Sequence, residues 1–426
     1  MADDAISYVR RNVEIAPNRP WFIHYAPGGT HAPHHPTKEW VDRIEQMHLF
    51  DEGWEKVRER IFQNQKRLGV IPANAELPAW PADMLKRWND LSDTEKKLFI
   101  RQANVYAAYL AYTDHEIGRV IAEVARLGQL DNTLIIYISG DNGSSAEGSV
   151  NGTPNEVMYF NGVALDADKQ MAWYDVWGTD QTYNHMAVGW TWAFGTPYRW
   201  TKQVASHFGG TRNGMAISWP AKIKDRGGIR TQFHHVIDVV PTILDLAGIP
   251  QPNQVDGIAQ RPMDGVSMAY TLPAANKAQP STRRTQYCEI LGNRALYHDG
   301  WIASTTPPAP PWASVAAPRP SDVMNGYAWE LYDTAADPTQ IHDLAKARPD
   351  KLRDLQEMFV MQGQQNQVFP LNNSITAMIA PRPGPAAGRK QFVYSGTSCC
   401  TQANAAPSLL NRSYRITADE IGRAHV

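Results

Sequence analysis

One group of possible metal-binding side chains follows directly after an apolar run. The run Thr133 to Ser139 reads TLIIYIS, and Gly140-Asp141-Asn142-Gly143 comes next. Ligands of α/β proteins bind at the carboxyl ends of strands, and the glycines let the chain turn so that Asp141 and Asn142 face one ion. These two residues are therefore candidate metal ligands. A plain Asx turn is the alternative, because Gly-Asp and Asn-Gly are favoured turn sequences.

Three histidines lie close together in the segment Thr30-His31-Ala32-Pro33-His34-His35-Pro36. The prolines exclude both a helix and the hydrogen-bonded ladder of a β-sheet, so the imidazoles lie on a fixed loop. Such imidazoles suit acid/base chemistry near neutral pH. A metal-binding tract is a second interpretation, although the spacing lacks the i,i+4 geometry of a helical zinc pair. A third interpretation is that any one of these histidines lies on an ordinary surface loop without a functional role.

A third group combines cations with a Gly-Gly turn. Lys202 precedes Gly209-Gly210, and Arg212 follows it, just before the apolar run that starts at Gly214. These cations could reach an anion bound at a strand end. The alternative is a solvated lysine with no ligand.

Composition excludes several classes of function. The 426 residues carry 41 Lys+Arg against 43 Asp+Glu, a net charge of −2, so no broad positive field is available for nucleic acid. The apolar runs are too short for the roughly 20 residues of a membrane span. Three cysteines, Cys288 and the pair Cys399-Cys400, predict neither a disulfide framework nor a structural zinc site.

The elements that position these groups follow an α/β pattern. Ile6, after Asp3 and Asp4, begins an amphipathic helix, and the aromatic run 21–26 is a strand candidate. Helical patches are expected around 54–68 and 82–88. Apolar positions from Val105 to Val124 mark a long helix that stops at Gly128, before the buried strand at 133–139. A helix, a short loop and an apolar strand that follow one another in this order predict a crossover connection onto a parallel sheet.

The second half of the chain predicts a change of architecture. A strand at 214–219 and a helix at 233–247, kinked near Pro241, complete the first part. A smaller α+β lobe then carries strands at 295–303 and 329–332 and a helix at 349–361. The predicted divisions are an α/β domain at 1–270, the α+β lobe at 271–375, a linker at 376–390 and the start of a truncated β-rich domain at 391–426.

The order of the three groups resembles the sulfatases, and more narrowly the large bacterial arylsulfatases of the alkaline-phosphatase-like superfamily. The resemblance covers roughly residues 1–375 and is carried by THAPHHPTKEW, LDNTLIIYISGDNG, TKQVASHFGGTRNGMAISWP and HHVIDVVPTILDLAGI. It implies an alkaline-phosphatase-like sheet with helices on both faces, here incomplete. It also implies hydrolysis of a small-molecule sulfate ester.

The resemblance also implies roles for single residues. Asp141 and Asn142 match two calcium ligands, and Lys202 matches the sulfate-binding lysine. His31 matches the histidine that contacts the sulfate, with His34 as the alternative. His185 and His207 are further substrate-binding candidates. Tyr183, Trp190 and Trp192 could line the pocket or belong to the core.

The chain departs from the family pattern at the nucleophile. Sulfatases convert the cysteine of Cys-x-Pro-x-Arg to formylglycine, and no cysteine of this chain lies in that motif. The pair Asp3-Asp4 does not follow a strand and is not expected to bind calcium. We therefore expect a fragment that lacks the N-terminal catalytic part, is inactive alone and binds calcium weakly or not at all. The alternatives are a phosphodiesterase or phosphonate hydrolase of the same superfamily, and a non-catalytic binding module.

Overall fold

A computed structural model describes residues 1–140, 142–313, 317–374, 384, 386, 388–395, 406–407 and 413–418. The chain divides into two units, Met1–Asn373 and Ser374–Val426. The described helices and strands belong to the first unit, and the described residues of the second contain neither. The predicted tail, 391–426, belongs to this second unit, where Cys399 and Cys400 lie outside the described residues. Within the described residues, no helix has the length and apolarity that crossing a bilayer requires.

The first part of the chain is helical. Its long helices are α1 (Ala2–Ile15), α2 (Lys38–Glu45), α3 (Trp54–Leu68) and α4 (Asp93–Arg126). The opening helix, α3 and the long helix α4 occur where the sequence predicts them. Ser92 begins α4 with a capping box, because its hydroxyl accepts from the Glu95 N–H while the Glu95 carboxylate accepts from the Ser92 N–H.

An aromatic core lies between these helices and α7 (Val188–Phe194). Trp190 on α7 has no exposed surface, and its ring lies 5.5 Å from Trp88 and 6.0 Å from Trp54. Its indole N–H donates to the carbonyl of Phe99 on α4 at 2.8 Å. Trp192 is 3% exposed. Both tryptophans of α7 therefore belong to the core and do not line a pocket.

The first sheet differs from the predicted one. β1 (Ile135–Ser139) pairs with β2 (Gly214–Ser218) in antiparallel register, from Ile135 opposite Ser218 to Ser139 opposite Gly214. In the described part of the chain this sheet has two strands, so the predicted parallel crossover is wrong. β1 is not buried as expected either, since Ile138 is 40% exposed. Apolar composition alone does not say which neighbour will cover a strand.

Two other sequence predictions are wrong. The run 21–26 is not a strand, and Phe22 is 65% exposed. Residues 82–84 form a turn, and a single 3-10 turn follows at Trp88–Asp90 in place of the predicted helix. Both segments have suitable composition, but a strand also needs a ladder partner and a short helix needs packing on an apolar face.

Shorter elements connect the helical part to the second half of the chain. Pro241 is the third residue of the helix Val239–Ala247 and does not kink it, because first-turn residues have no intrahelical acceptor for their N–H. The short connecting elements are α5 (Val157–Phe160), α6 (Ala167–Gln170), α8 (Phe208–Thr211), α9 (Val239–Ala247), β3 (Gln254–Val255) and β4 (Ile258–Ala259).

The second half contains an antiparallel sheet in sequence order, packed against α10 (Pro349–Gln365). Its strands are β5 (Thr285–Ile290), β6 (Asn293–His298), β7 (Trp301–Thr305) and β8 (Trp329–Asp333). The single strand predicted at 295–303 is in fact the β6–β7 hairpin. Asp299 and Gly300 both have positive φ, 46° and 85°, as a two-residue hairpin turn requires.

Candidate functional site

The loop after β1 lies directly against Gly209 and Gly210, which belong to the short helix α8 before β2 and not to the turn that the sequence predicts. The backbone N–H of Gly143 donates to the carbonyl of Gly210 at 3.0 Å. A Cβ on Gly143 would lie 1.7 Å from the carbonyl oxygen of Gly209, a separation that no side chain tolerates. Glycine at 143 therefore permits the close approach of the two loops.

The loop after β1 also contacts the segment that carries Lys202. The N–H of Lys202 donates to the carbonyl of Ser144 at 3.0 Å. The residues around it are held in unusual conformations, because Trp200 and Gln203 have φ of 68° and 76°. Non-glycine residues adopt such angles when surrounding contacts impose them. The Lys202 backbone is therefore fixed by the loop after β1.

The Lys202 side chain connects two distant parts of the sequence. Its Nζ lies 2.8 Å from Glu147 Oε2 and 3.1 Å from His31 Nε2. The Lys202 side chain is 19% exposed and that of Glu147 is 8% exposed. At such low exposure water screens charge weakly, so an ammonium group here interacts strongly with any anion that reaches it.

Glu147 is the carboxylate of this cluster. Its two oxygens also accept from Gln203 Nε2 at 2.7 Å and from the Ser145 hydroxyl at 3.1 Å. Burial alone would raise its pKa, but the hydrogen bond and charge of Lys202, with the Gln203 amide, lower the pKa below its usual value. Glu147 is therefore ionised at neutral pH.

A second carboxyl group lies beside Glu147. Glu156 is 4% exposed, and its Oε1 accepts no hydrogen bond from a described N–H or O–H group. Burial, and then the negative charge of Glu147, raise the pKa of Glu156 to about 7. Glu156 is thus partly protonated at neutral pH, whereas Glu147 is not.

The contacts of His31 fix its tautomer. Its Nδ1 lies 2.8 Å from the carbonyl oxygen of Ala32, which can only accept, so Nδ1 carries the hydrogen. In the neutral ring Nε2 is then the acceptor for Lys202. This nitrogen faces the lysine at an exposed edge of the cluster.

His34 and His185 lie behind this edge. Their rings are 5.0 Å apart, and they are 2% and 1% exposed. Burial lowers the pKa of His185 to about 4 and places the pKa of His34 well below its usual value, so both are neutral. Nδ1 of His185 lies 3.0 Å from the carbonyl oxygen of Met186, an internal contact.

His207 faces a different part of the molecule. Its Nδ1 lies 2.9 Å from the Ser206 hydroxyl and its Nε2 lies 3.1 Å from Glu330 on β8. The ring has no exposed surface. His207 therefore connects the start of α8 to the second sheet and is not brought to Lys202.

The expected calcium ligands are only partly placed. Asp141 lies outside the described residues, and Asn142 is half-buried in the loop that contacts Lys202. Calcium takes six to eight oxygen ligands. In the described ranges no group of three or more His, Cys, Asp or Glu side chains is arranged to hold a metal ion. The described residues therefore do not make a complete calcium site.

Sequence reasoning missed Glu147, Glu156 and Gln203. Gln203 adjoins a predicted residue, and Glu147 lies five positions after Asn142 in the same loop. A carboxylate within a Gly- and Ser-rich segment after a strand end is a signal that could have identified Glu147. Glu156 carries no comparable local signal, because the fold alone brings it to Glu147.

Comparisons with known proteins identify relatives of this chain. Residues 1–249 match the family model described as Sulfatase. An uncharacterised sulfatase of Schizosaccharomyces pombe is 31% identical over 349 residues, which are 78% of this chain and 56% of that protein. An arylsulfatase of Klebsiella aerogenes is 25% identical over 279 residues, 65% of this chain and 56% of that enzyme. The chain thus spans about half the length of these curated relatives.

The fold also matches that of a solved structure. The crystal structure of Ps i-CgsB in complex with k-i-k-neocarrahexaose superposes with a TM-score of 0.50 at 16% identity, covering 89% of this chain and 57% of that one. At this identity the likeness concerns the fold alone. The mixed helices and sheets are those of the alkaline-phosphatase-like α/β fold, and the match over residues 1–249 shows that the chain belongs to the sulfatase family.

Proposed function

We propose that this chain supplies the sulfate-binding and leaving-group side of a sulfuric ester hydrolase of the arylsulfatase type. The observation that carries the proposal is the 3.1 Å contact between Lys202 Nζ and His31 Nε2, which joins residues 171 positions apart in sequence. A sulfate ester needs a cation for its oxygens and a proton donor for its departing oxygen. An ammonium and an imidazole in contact at an exposed edge meet both needs.

Lys202 is the proposed sulfate ligand. Its ammonium group has three N–H donors, and two of them face Glu147 and His31. The third is available to a sulfate oxygen. Because Glu147 and the backbone contact to Ser144 hold the side chain and the loop, the lysine is already positioned when the anion arrives.

His31 is the proposed proton donor to the leaving oxygen. With its Nδ1 hydrogen on the Ala32 carbonyl, its Nε2 faces the same point as Lys202. Once the lysine N–H that faces His31 moves to the sulfate, Nε2 can take a proton from solvent at this exposed edge and deliver it to the departing alcohol or phenol. The geometry favours His31 over His34, since His34 is buried against Tyr106 and His185.

The family implies calcium and formylglycine, and both belong to the proposal only in a longer protein. The chain contains no Cys-x-Pro-x-Arg sequence, and its described residues do not form a complete calcium site. We propose Asp141 and Asn142 as part of the calcium shell in the longer protein, where the ion would stabilise negative charge on the sulfate. The 426-residue chain alone is then inactive.

Hydrolysis of 4-nitrophenyl sulfate tests this proposal. We expect no turnover by the purified 426-residue chain, and turnover by a longer protein that also carries Cys-x-Pro-x-Arg. In that protein Lys202→Ala lowers kcat/KM by about 100-fold or more, because a charged transition-state contact is lost. Lys86→Ala is the matched control, since Lys86 lies 2.8 Å from Glu95 away from the cluster.

Two results would contradict the proposal. Turnover by the isolated chain would show that no further segment is needed. A Lys202→Ala protein as active as the Lys86→Ala protein would reject the sulfate-binding assignment. Parallel assays with bis(4-nitrophenyl) phosphate and phenyl phosphonate distinguish sulfate-ester hydrolysis from the phosphodiesterase and phosphonate hydrolase alternatives.

A further inference from the structure

Two carboxyl groups meet beside the proposed sulfate-binding lysine. Glu147 contacts Lys202 at 2.8 Å, and its negative charge acts on Glu156, whose buried Oε1 has no hydrogen-bond donor among the described groups. A buried carboxyl oxygen that no donor faces favours the protonated form of Glu156, because ionisation would leave a negative charge without water or hydrogen bonds. The pair is almost fully buried, at 6% and 4% exposure. It therefore holds a proton that no other group of the proposed mechanism uses.

The charge of this cluster opposes anion binding when both carboxyl groups are ionised. One ammonium group and two carboxylates then sum to a net negative charge. A proton on the pair makes the three groups neutral, and at this low exposure the difference acts with little screening. An incoming sulfate is thus bound more tightly by the protonated form.

We propose that Glu147 is a positioning residue for Lys202 and that the Glu147–Glu156 pair takes up a proton when an anion binds at Lys202. This inference rests on the proposed function, because it takes Lys202 as the sulfate ligand. It adds a role for two residues that the family pattern does not supply. It also couples the affinity for sulfate to pH.

The direction of the coupling follows from the pair's titration. Burial and Glu147 raise the pKa of Glu156 to about 7 in the free protein. A bound anion raises it further, since it adds negative charge beside the pair. Sulfate affinity is therefore highest below about pH 7 and falls as pH rises above it, by up to about tenfold per pH unit.

The other titratable groups that face the pair are Lys202, His31, His185 and Tyr159. Burial and Glu147 raise the pKa of Tyr159 to about 12, and burial lowers the pKa of His185 to about 4. Neither changes its charge between about pH 6 and about pH 8. Lys202 and His31 are tested by substitution.

Calorimetric titration of the 426-residue chain with inorganic sulfate tests the inference. Sulfate keeps its charge between about pH 6 and about pH 8, so any pH dependence belongs to the protein. Titrations in buffers of different ionisation enthalpy count the protons taken up. We expect uptake approaching one proton above about pH 7, and weaker binding at about pH 8 than at about pH 6.

Glu156→Gln is the decisive variant, because glutamine has the shape of the protonated acid. It should bind sulfate at about pH 8 as tightly as the unmodified chain does at about pH 6, without proton uptake. Glu289→Gln is the matched control, since burial also raises the pKa of Glu289 but it lies on β5. His31→Asn should retain the pH dependence above about pH 7. An unchanged pH profile in Glu156→Gln overturns the inference.

The outcomes separate this inference from the proposed function. If Lys202→Ala abolishes sulfate binding while Glu156→Gln keeps the pH dependence, the proposed function stands and the proton-sharing pair is rejected. If the unmodified chain does not bind sulfate, or if Lys202→Ala binds it equally well, both the proposed function and the inference about the carboxyl pair are rejected. Infrared spectroscopy gives a second readout on the unmodified protein. Sulfate addition at about pH 8 should increase the absorption of protonated carboxyl groups, and no increase contradicts the inference.

Discussion

Single residues of the candidate site differ in how far their environment could be predicted. The sequence identifies Lys202 and His31 through the motifs that contain them, and the fold brings them to 3.1 Å. It could not identify Glu156, whose importance depends on burial beside Glu147. The resemblance also implied that His207 is a further substrate-binding candidate, although that ring contacts Ser206 and Glu330. A motif specifies residue types, whereas the partner of a buried group is set by distant segments.

A buried ion pair outside the site illustrates the same point. Asp238, just before α9, has no exposed surface and accepts from Arg283 Nε at 2.8 Å and from His234 Nδ1 at 2.9 Å. Burial would raise its pKa, but His234 and Arg283 hold the pKa of Asp238 well below its usual value. The sequence HHVIDVVPT does not show that Arg283, 45 positions later, completes the pair.

We expect Asp238→Asn to lower the free energy of unfolding by about 3–5 kcal/mol at neutral pH, because Arg283 keeps a buried charge without its counterion. Urea unfolding measures the change, and Asp245→Asn on the exposed side of α9 is the control. Since the pKa of Asp238 is depressed on folding, its contribution is complete above about pH 4 and is lost at lower pH. Equal unfolding midpoints for the two variants would contradict this account.

At the scale of elements, local signals succeed where an element is specified by its own residues. The capping box at Ser92 and the apolar face of α4 predict a helix, and the structure has it. The run 21–26 does not form a strand, because its composition does not provide a neighbouring strand for backbone hydrogen bonds. The Asp299-Gly300 turn was visible in the sequence as a hairpin signal, and treating 295–303 as one strand overlooked it.

The capping box gives a prediction for α4. Ser92→Ala should destabilise the protein by about 1 kcal/mol, since the N–H of Glu95 loses its acceptor. Chemical denaturation followed by circular dichroism measures the effect. Thr37→Ala is the control, because Thr37 begins α2 without a side-chain capping hydrogen bond. A Ser92 variant no less stable than the Thr37 variant would show that the cap contributes nothing.

The contact between the two loops gives a prediction for the site. Gly143→Ala places a methyl group against the Gly209 carbonyl, so we expect a loss of about 1–3 kcal/mol of stability together with weaker sulfate binding. Gly214→Ala is the control, since a Cβ there has no atom within 4 Å. Denaturation and sulfate titration of both variants check this. If Gly143→Ala retains full sulfate affinity, the contact between the two loops does not contribute to sulfate binding.

For the whole molecule, the fold class was predictable and the sheet was not. Alternation of helix and apolar strand predicts α/β, and the described elements are a mixture of helices and strands. The pairing of β1 with β2 is antiparallel, because strand neighbours depend on which segments of the chain meet. Both curated relatives extend well beyond the matched region, at 56% coverage of each. The proposed function therefore assigns this chain one side of a reaction site.

Lys202 and His31 are proposed to form an anion site beside the loop after β1. A crystal of the 426-residue chain grown with selenate, whose selenium scatters anomalously, shows where such an anion binds. We expect an anomalous peak within hydrogen-bonding distance of Lys202 Nζ and His31 Nε2, and none at the Lys86–Glu95 pair. A peak only at other cations, or no peak at Lys202, would contradict the claim.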